Sequence, residues 1–182
     1  MTNIKLSTRD AILEAAFEIF NERPGASLGD VADRAGVGRA TLHRHFNSRD
    51  ALMVALAETA LNELNEAVDE AVANAETHTE GLRLSLAAII PLASRQWFLS
   101  HEPVEDDPKI AAAYQADVEE LFKEIEGAKT EGSIAHDLPT KWVAETYEGL
   151  IYAAWKLVRE EEATPSQAAD LAWRTFMNGV AE

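Results

Sequence analysis

The chain has 182 residues, nearly half of them apolar, and a formal net charge of −16, enough for one ordinary domain or two small ones with a substantial core. It contains no cysteine, which excludes disulfides, thiolate metal sites and cysteine nucleophiles and is compatible with a reducing compartment. The opening MTNIKLSTRD holds no apolar stretch of signal-peptide length and no uninterrupted apolar run approaches a membrane span; a soluble, cytoplasmic protein with no membrane partner is expected.

The charge is unevenly spread. Residues 1–50 hold seven basic and seven acidic side chains, whereas the remainder holds nine basic against twenty-five acidic. The whole deficit lies beyond residue 50. Between Arg34 and Arg49 there are four arginines, two histidines and no acid, so the local field there favours an anionic partner while the body repels one.

In chain order, Ser7 with Asp10 reads as a capping pair. Ile12, Leu13, Ala16, Phe17, Ile19 and Phe20 follow at helical spacing, predicting an amphipathic helix that ends near Asn21, before Arg23-Pro24-Gly25. Ser27 with Asp30 opens a second helix, and the start of such a helix offers backbone N–H groups to a phosphate. Leu28, Val31, Ala32 and Ala35 form its inner face, Gly36-Val37-Gly38 turns the chain, and Leu42 and Phe46 give a third short helix its inner side. Arg39, Thr41, His43 and Arg44 occupy the polar side, residue types that contact phosphates and base edges. The pattern is a helix-turn-helix with a loaded recognition helix.

Asn47-Ser48-Arg49-Asp50 caps a fourth helix, free of Gly and Pro to about Asn74, a length of roughly 40 Å at 1.5 Å per residue. Glu76 to Gly81 marks its end. Residues 82–100 are apolar on most sides, with Pro91 predicting a kink or break. His101 to Pro108 is an acidic, proline-bounded segment. Helices are then expected over Lys109–Lys129, from a Thr140 cap through Lys141–Glu160, and from Pro165 to about Gly179. No strand pattern of useful length occurs. The fold class is all-α with about nine helices: a three-helix helix-turn-helix domain over residues 1–50 and a helical ligand-binding and dimerisation domain over 51–182.

The stretch from Arg9 to about Leu56 resembles the tetracycline-repressor (TetR) family of bacterial regulators. Ser27, Val31-Ala32, Ala35-Gly36-Val37, Thr41-Leu42-His43, His45-Phe46, Arg49 and Ala51-Leu52 stand in register with the family's pattern across the turn and both helices. His43 departs from the family's usual tyrosine and Arg49 from its usual lysine. The resemblance implies a homodimeric transcriptional regulator, most often a repressor, that leaves a near-palindromic double-stranded DNA operator when a small-molecule effector binds the C-terminal domain. The implied DNA contacts are Arg39, Thr41, His43 and Arg44 for reading, Gly38 and Ala40 for close approach, and Ser27, His45 and Arg49 for phosphate.

Beyond the helix-turn-helix, Trp97, Phe98, His101, Tyr114, Phe122 and Tyr147 are candidate walls of an effector pocket, because aromatic walls with few polar groups suit small molecules. Leu150, Ile151, Ala154, Trp155, Val158, Ala168, Leu171, Ala172 and Phe176 on the last two helices are candidate dimer contacts, large residues alternating with small ones that permit close helix approach. One monomer's core is the competing reading of that pair. His101 with Glu102, Glu105, Asp106 and Asp107 lacks an i,i+4 histidine pair and reads as a solvated acidic segment, so neither metal nor cofactor is expected. No nucleophile elbow, phosphate loop or glycine fingerprint occurs, which argues against an enzyme. A helical scaffold that keeps the helix-turn-helix only as packing is the alternative, supported by the acidity beyond residue 50.

Overall fold

The computed structural model describes residues 7–101 and 107–180. Among the described residues the regular structure is helical: α1 (Thr8–Glu22), α2 (Leu28–Arg34), α3 (Arg39–His45), α4 (Arg49–Val72), α5 (His78–Ile89), a short 3-10 turn (Ile90–Leu92), α6 (Ala93–His101), α7 (Pro108–Thr130), α8 (Thr140–Arg159) and α9 (Pro165–Val180). The all-α expectation of about nine helices holds. Pro91 divides the apolar stretch as expected, because its ring and missing N–H end the α-helical ladder.

Two boundaries differ from expectation. Thr77 starts a helix rather than marking an end: its hydroxyl accepts from the Glu80 N–H at 3.1 Å, so α5 begins at His78 and takes in Gly81. Thr140 is the first residue of α8, after Pro139. Its hydroxyl joins the Glu126 carboxylate and accepts from the buried Lys129 ammonium at 2.7 Å, tying α7 to α8.

The chain forms two compact units, Met1–Leu61 with Ser94–Ile110, and Asn62–Ala93 with Ala111–Glu182. The division between the units falls inside α4, and residues 94–110 group with the first unit. In the first unit, Ile12, Ala16, Phe17, Phe20, Val31, Ala32, Leu42, Leu52 and Leu56 are buried. α6 closes on α1: Phe98 meets Phe17 edge to face at 5.4 Å, Arg95 covers the same ring and pairs with Glu14, and Asn21 donates to the Ser94 carbonyl at 2.9 Å.

The second unit's core is built from Leu82, Leu86 and Ile90, Ile125 and Ala128, Ile134, and the inner faces of α8 and α9. Of the candidate dimer contacts, Ile151, Ala154, Trp155, Ala168, Ala172 and Phe176 are buried in this core. α8 and α9 pack on one another, so their apolar stripes are spent within one chain, and the buried Trp155 indole N–H has no hydrogen-bond partner there. Of the nine candidates only Leu171 is well exposed, with Leu150 and Val158 partly so. Among the described residues, Trp142 on α8, 64% exposed, and Tyr152, 40% exposed, are the large apolar residues that face outward with Leu171.

Candidate nucleic-acid interface

α2 starts where it does because Ser27 and Asp30 cap each other. The Ser27 hydroxyl accepts from the Asp30 N–H at 3.2 Å, and the Asp30 carboxylate accepts from the Ser27 hydroxyl at 2.6 Å and its N–H at 2.7 Å. These bonds from Ser27 hold the Asp30 carboxyl below its ordinary value, with Arg23 at 3.4 Å adding to the effect. α2 ends in a two-bond C-terminal cap: the Gly36 N–H reaches the Asp33 carbonyl and the Val37 N–H the Ala32 carbonyl. Gly36 sits at φ +66°, a backbone state glycine adopts without a β-carbon penalty.

Gly38 then caps α3 without a side-chain bond. Within α3 only Leu42 is buried, and Phe46 anchors the helix just beyond its end. Arg39, Ala40, His43, Arg44 and His45 are therefore exposed together and Thr41 is half-buried. The expected reading residues share one exposed helix.

The four arginines of the acid-free stretch are not equivalent. Arg34 is spent on Glu18 at 3.1 Å and Glu22 at 2.8 Å, joining α2 to α1 and lowering the Glu22 carboxyl through its hydrogen bond and charge. Arg49, expected to meet phosphate, donates instead to the carbonyls of Pro24 and Ala26 and lies 4.5 Å from the Phe20 ring centre. Its fork holds the turn between α1 and α2, because those carbonyls have left the helical ladder and lie within its reach. Among the described residues, Arg39 and Arg44 have no hydrogen-bond or ion-pair partner, so their donors remain available to a ligand. The Arg39 guanidinium rests against Gly29, beside an open depression of about 290 Å³ lined by Ser27, Leu28, Gly29, Arg39, Leu42 and His43.

The expected effector residues are divided between the two units. Phe98 is core of the first unit, and Trp97 is half-buried in that unit. His101 ends α6, but its side chain and the segment 102–106 lie outside the described residues. In the second unit Tyr147 is buried, donates its hydroxyl to the Leu82 carbonyl at 2.7 Å and stacks edge to face on Phe176. Burial pushes its hydroxyl far above the ordinary tyrosine value. Tyr147 is thus a core residue of the second unit. Tyr114 and Phe122 remain half-buried along α7.

The sequence reading missed Asp117, one turn beyond Tyr114. Its carboxylate is half-buried and accepts from the Asn65 amide at 3.3 Å, and burial raises its carboxyl above the ordinary value against that bond. The signal available was an acid on the inward stripe of α7.

A three-helix unit with a capped α2, a left-handed glycine turn and an exposed cationic α3 defines a helix-turn-helix DNA-binding protein. Residues 12–56 match the family described as bacterial regulatory proteins, tetR family. The HTH-type transcriptional repressor LfrR of Mycolicibacterium smegmatis is 30% identical over 154 residues, 84% of this chain and 80% of that protein. The HTH-type transcriptional regulator NfxB of Pseudomonas aeruginosa is 27% identical over 181 residues, 96% of this chain and 95% of its own. The crystal structure of LfrR in complex with proflavine is similar with a TM-score of 0.76 at 27% identity, over 96% of this chain and 98% of that one. The chain belongs to the TetR family and is a DNA-binding transcriptional regulator. A scaffold that keeps its helix-turn-helix only as packing is not favoured.

Proposed function

We propose that the protein is a homodimeric repressor released from a near-palindromic operator by a small molecule. The observation that carries this reading is α3, whose exposed face presents Arg39 and Arg44 without protein partners and no acid. Two such helices, one per protomer, enter successive major grooves about 34–36 Å apart. Arg39, Thr41, His43 and Arg44 read base edges, Gly38 and Ala40 admit the helix to the groove, and Ser27 and His45 meet phosphate. Arg49 acts through the turn it holds. Residues 1–50 serve DNA binding, and residues 51–182 serve effector binding and pairing.

Trp142, Tyr152 and Leu171, with Leu150 and Val158 beside them, form the pairing surface. The effector belongs to the class of planar cationic aromatics, a reading supported by the relative's complex with proflavine and by Asp117, a half-buried carboxylate one turn from Tyr114 that has no cationic partner among the described residues. The effector must bind the released state more tightly than the operator-bound state, otherwise it shifts nothing. α4, with Arg49–Leu61 in one unit and Asn62–Val72 in the other, is the covalent route of coupling. The protein works in the cytoplasm and performs no catalysis.

Selection of bound sequences from a random duplex pool tests the assignment. A near-palindromic consensus whose affinity falls steeply with salt is expected, and recovery of no preferred sequence rejects it. Repeating the selection with proflavine present tests release.

A further inference from the structure

Gly29 is the second residue of α2, and its φ is not positive, so the backbone does not demand glycine there. Glycine inside a helix is unfavourable relative to alanine through its backbone entropy. The Ser27–Asp30 cap on either side explains where α2 starts without using Gly29. What the missing side chain does is sterically specific. A β-carbon at Gly29 would lie 3.2 Å from Arg39 Nη2 and 3.4 Å from both Cζ and Nε. The flat guanidinium therefore rests on the backbone of α2, at the edge of the depression lined by Gly29, Arg39, Leu42 and His43.

Among the described residues Arg39 has no hydrogen-bond or ion-pair partner, and the Asp30 carboxylate on α2 is engaged by Ser27 and Arg23. A long exposed side chain without partners samples many rotamers, and ordering it on the duplex costs entropy. A surface it can lie on reduces that cost and limits the directions in which its fork points. We infer that Gly29 is a specificity-determining position: by leaving room for the Arg39 guanidinium on α2, it sets the angle at which Arg39 meets a base edge. The inference rests on the reading that α3 enters the major groove.

The test uses the full-length protein and the operator obtained by random-pool selection. Gly29→Leu, Gly29→Ala, Arg39→Ala and the double variant Gly29→Leu/Arg39→Ala are compared by operator affinity and by preference at each base pair. Melting temperature and helicity serve as the check on folding. Gly29→Leu is expected to lose about tenfold in affinity, within the range of one bidentate arginine–guanine contact, and to flatten preference at the base pair Arg39 reads. Gly29→Ala shows the same change at smaller size without a lower melting temperature, and carries the test alone if the leucine variant does not fold. In the Arg39→Ala background, Gly29→Leu costs less than twofold, because Gly29 acts through Arg39. Unchanged preference in both Gly29 variants overturns the inference. So does an equal loss in the Arg39→Ala background, which would mean that the leucine strikes the duplex directly. If the unmodified protein selects no sequence, the regulator reading fails and takes this inference with it.

Discussion

The His78 imidazole on α5 lies against the backbone of Gly127 on α7, and a β-carbon at Gly127 would overlap its ring. The contact belongs to a clasp within the second unit. His78 Nδ1 is 3.1 Å from the Glu124 carboxylate, while Glu131 accepts the His78 N–H at 2.6 Å, the Thr79 N–H at 3.0 Å and the Thr79 hydroxyl at 2.8 Å. An anion thus sits on the N-terminus of α5, where the helix dipole favours it. Gly127→Ala is expected to expel the ring and destabilise the protein by about 1–3 kcal/mol, the usual cost of overpacking. His78→Ala in that background removes the clash, so the double variant melts above Gly127→Ala alone. Melting curves of the two variants and the unmodified protein check this.

Arg49 separates a structural arginine from a phosphate contact. Removing its side chain leaves the Pro24 and Ala26 carbonyls without their donor, and the expected loss of stability is about 1–3 kcal/mol. Because its donors are engaged within the protein, the dependence of log affinity on log salt stays as in the unmodified protein. Arg44→Ala shows the opposite pattern: unchanged melting and weaker operator binding. A salt slope reduced by about one unit in Arg49→Ala contradicts this division.

The fold was legible wherever one residue type answers one local need. Ser27 with Asp30 announced α2, Gly36 announced the left-handed turn after it, and Pro91 announced the break between α5 and α6. All are short-range requirements of the backbone, visible within a few residues. The outward face of α8 and α9 was not legible, because these helices carry large apolar residues on more than one side. Periodicity does not say which stripe meets its neighbour and which meets solvent. Ile151 and Trp155 turned inward while Trp142 and Tyr152 turned outward. In the candidate site, α3 was read correctly as a cluster of polar side chains, yet the fates of Arg34 and Arg49 depended on partners 12 to 25 residues away. Asp117 was passed over because its burial comes from tertiary packing, which a single acid in an amphipathic pattern does not reveal.

Asp30 gives an acid dependence with a defined sign. Its folded-state carboxyl lies below the ordinary value of 3.8, through the bonds from Ser27. A lowered folded value means stability that is present above the unfolded value and lost as pH falls through the folded one. Melting temperature measured from pH 5 downward should therefore fall less steeply in Asp30→Asn than in the unmodified protein. Parallel acid limbs for the two proteins would show that the cap contributes no linkage.

Glu161 closes α8 in a backbone state that favours glycine. It sits at φ +59°, with its N–H on the Val158 carbonyl at 3.2 Å and the Glu162 N–H on the Leu157 carbonyl at 2.9 Å. A β-carbon in the left-handed region costs roughly 1–2 kcal/mol, offset in part by glycine's greater freedom in the unfolded chain. Glu161→Gly is expected to stabilise by about 1 kcal/mol, raising the melting temperature by about 2–4 °C for a chain of this size. Glu160→Gly, at φ −82°, gains nothing by this mechanism and serves as the control.

Under the proposed function, Asp117 affects stability and effector binding with opposite signs. Burial raises its folded-state carboxyl above the unfolded value of 3.8, against the bond from Asn65. Its contribution to stability is thus complete below that value and lost as pH rises through the folded one. At neutral pH the ionised group opposes folding, so Asp117→Asn should melt at or above the temperature of the unmodified protein. A half-buried carboxylate that has no cationic side chain beside it among the described residues is suited to a cationic ligand. Proflavine affinity, followed by dye fluorescence, should fall by about tenfold or more in Asp117→Asn, and a higher dye concentration should be needed to release the operator. A neutral three-ring aromatic of the same shape should bind the two proteins equally, since it makes no use of the charge. Equal weakening for both ligands would mean that the substitution reshapes the site, and undiminished proflavine binding would place the cation elsewhere.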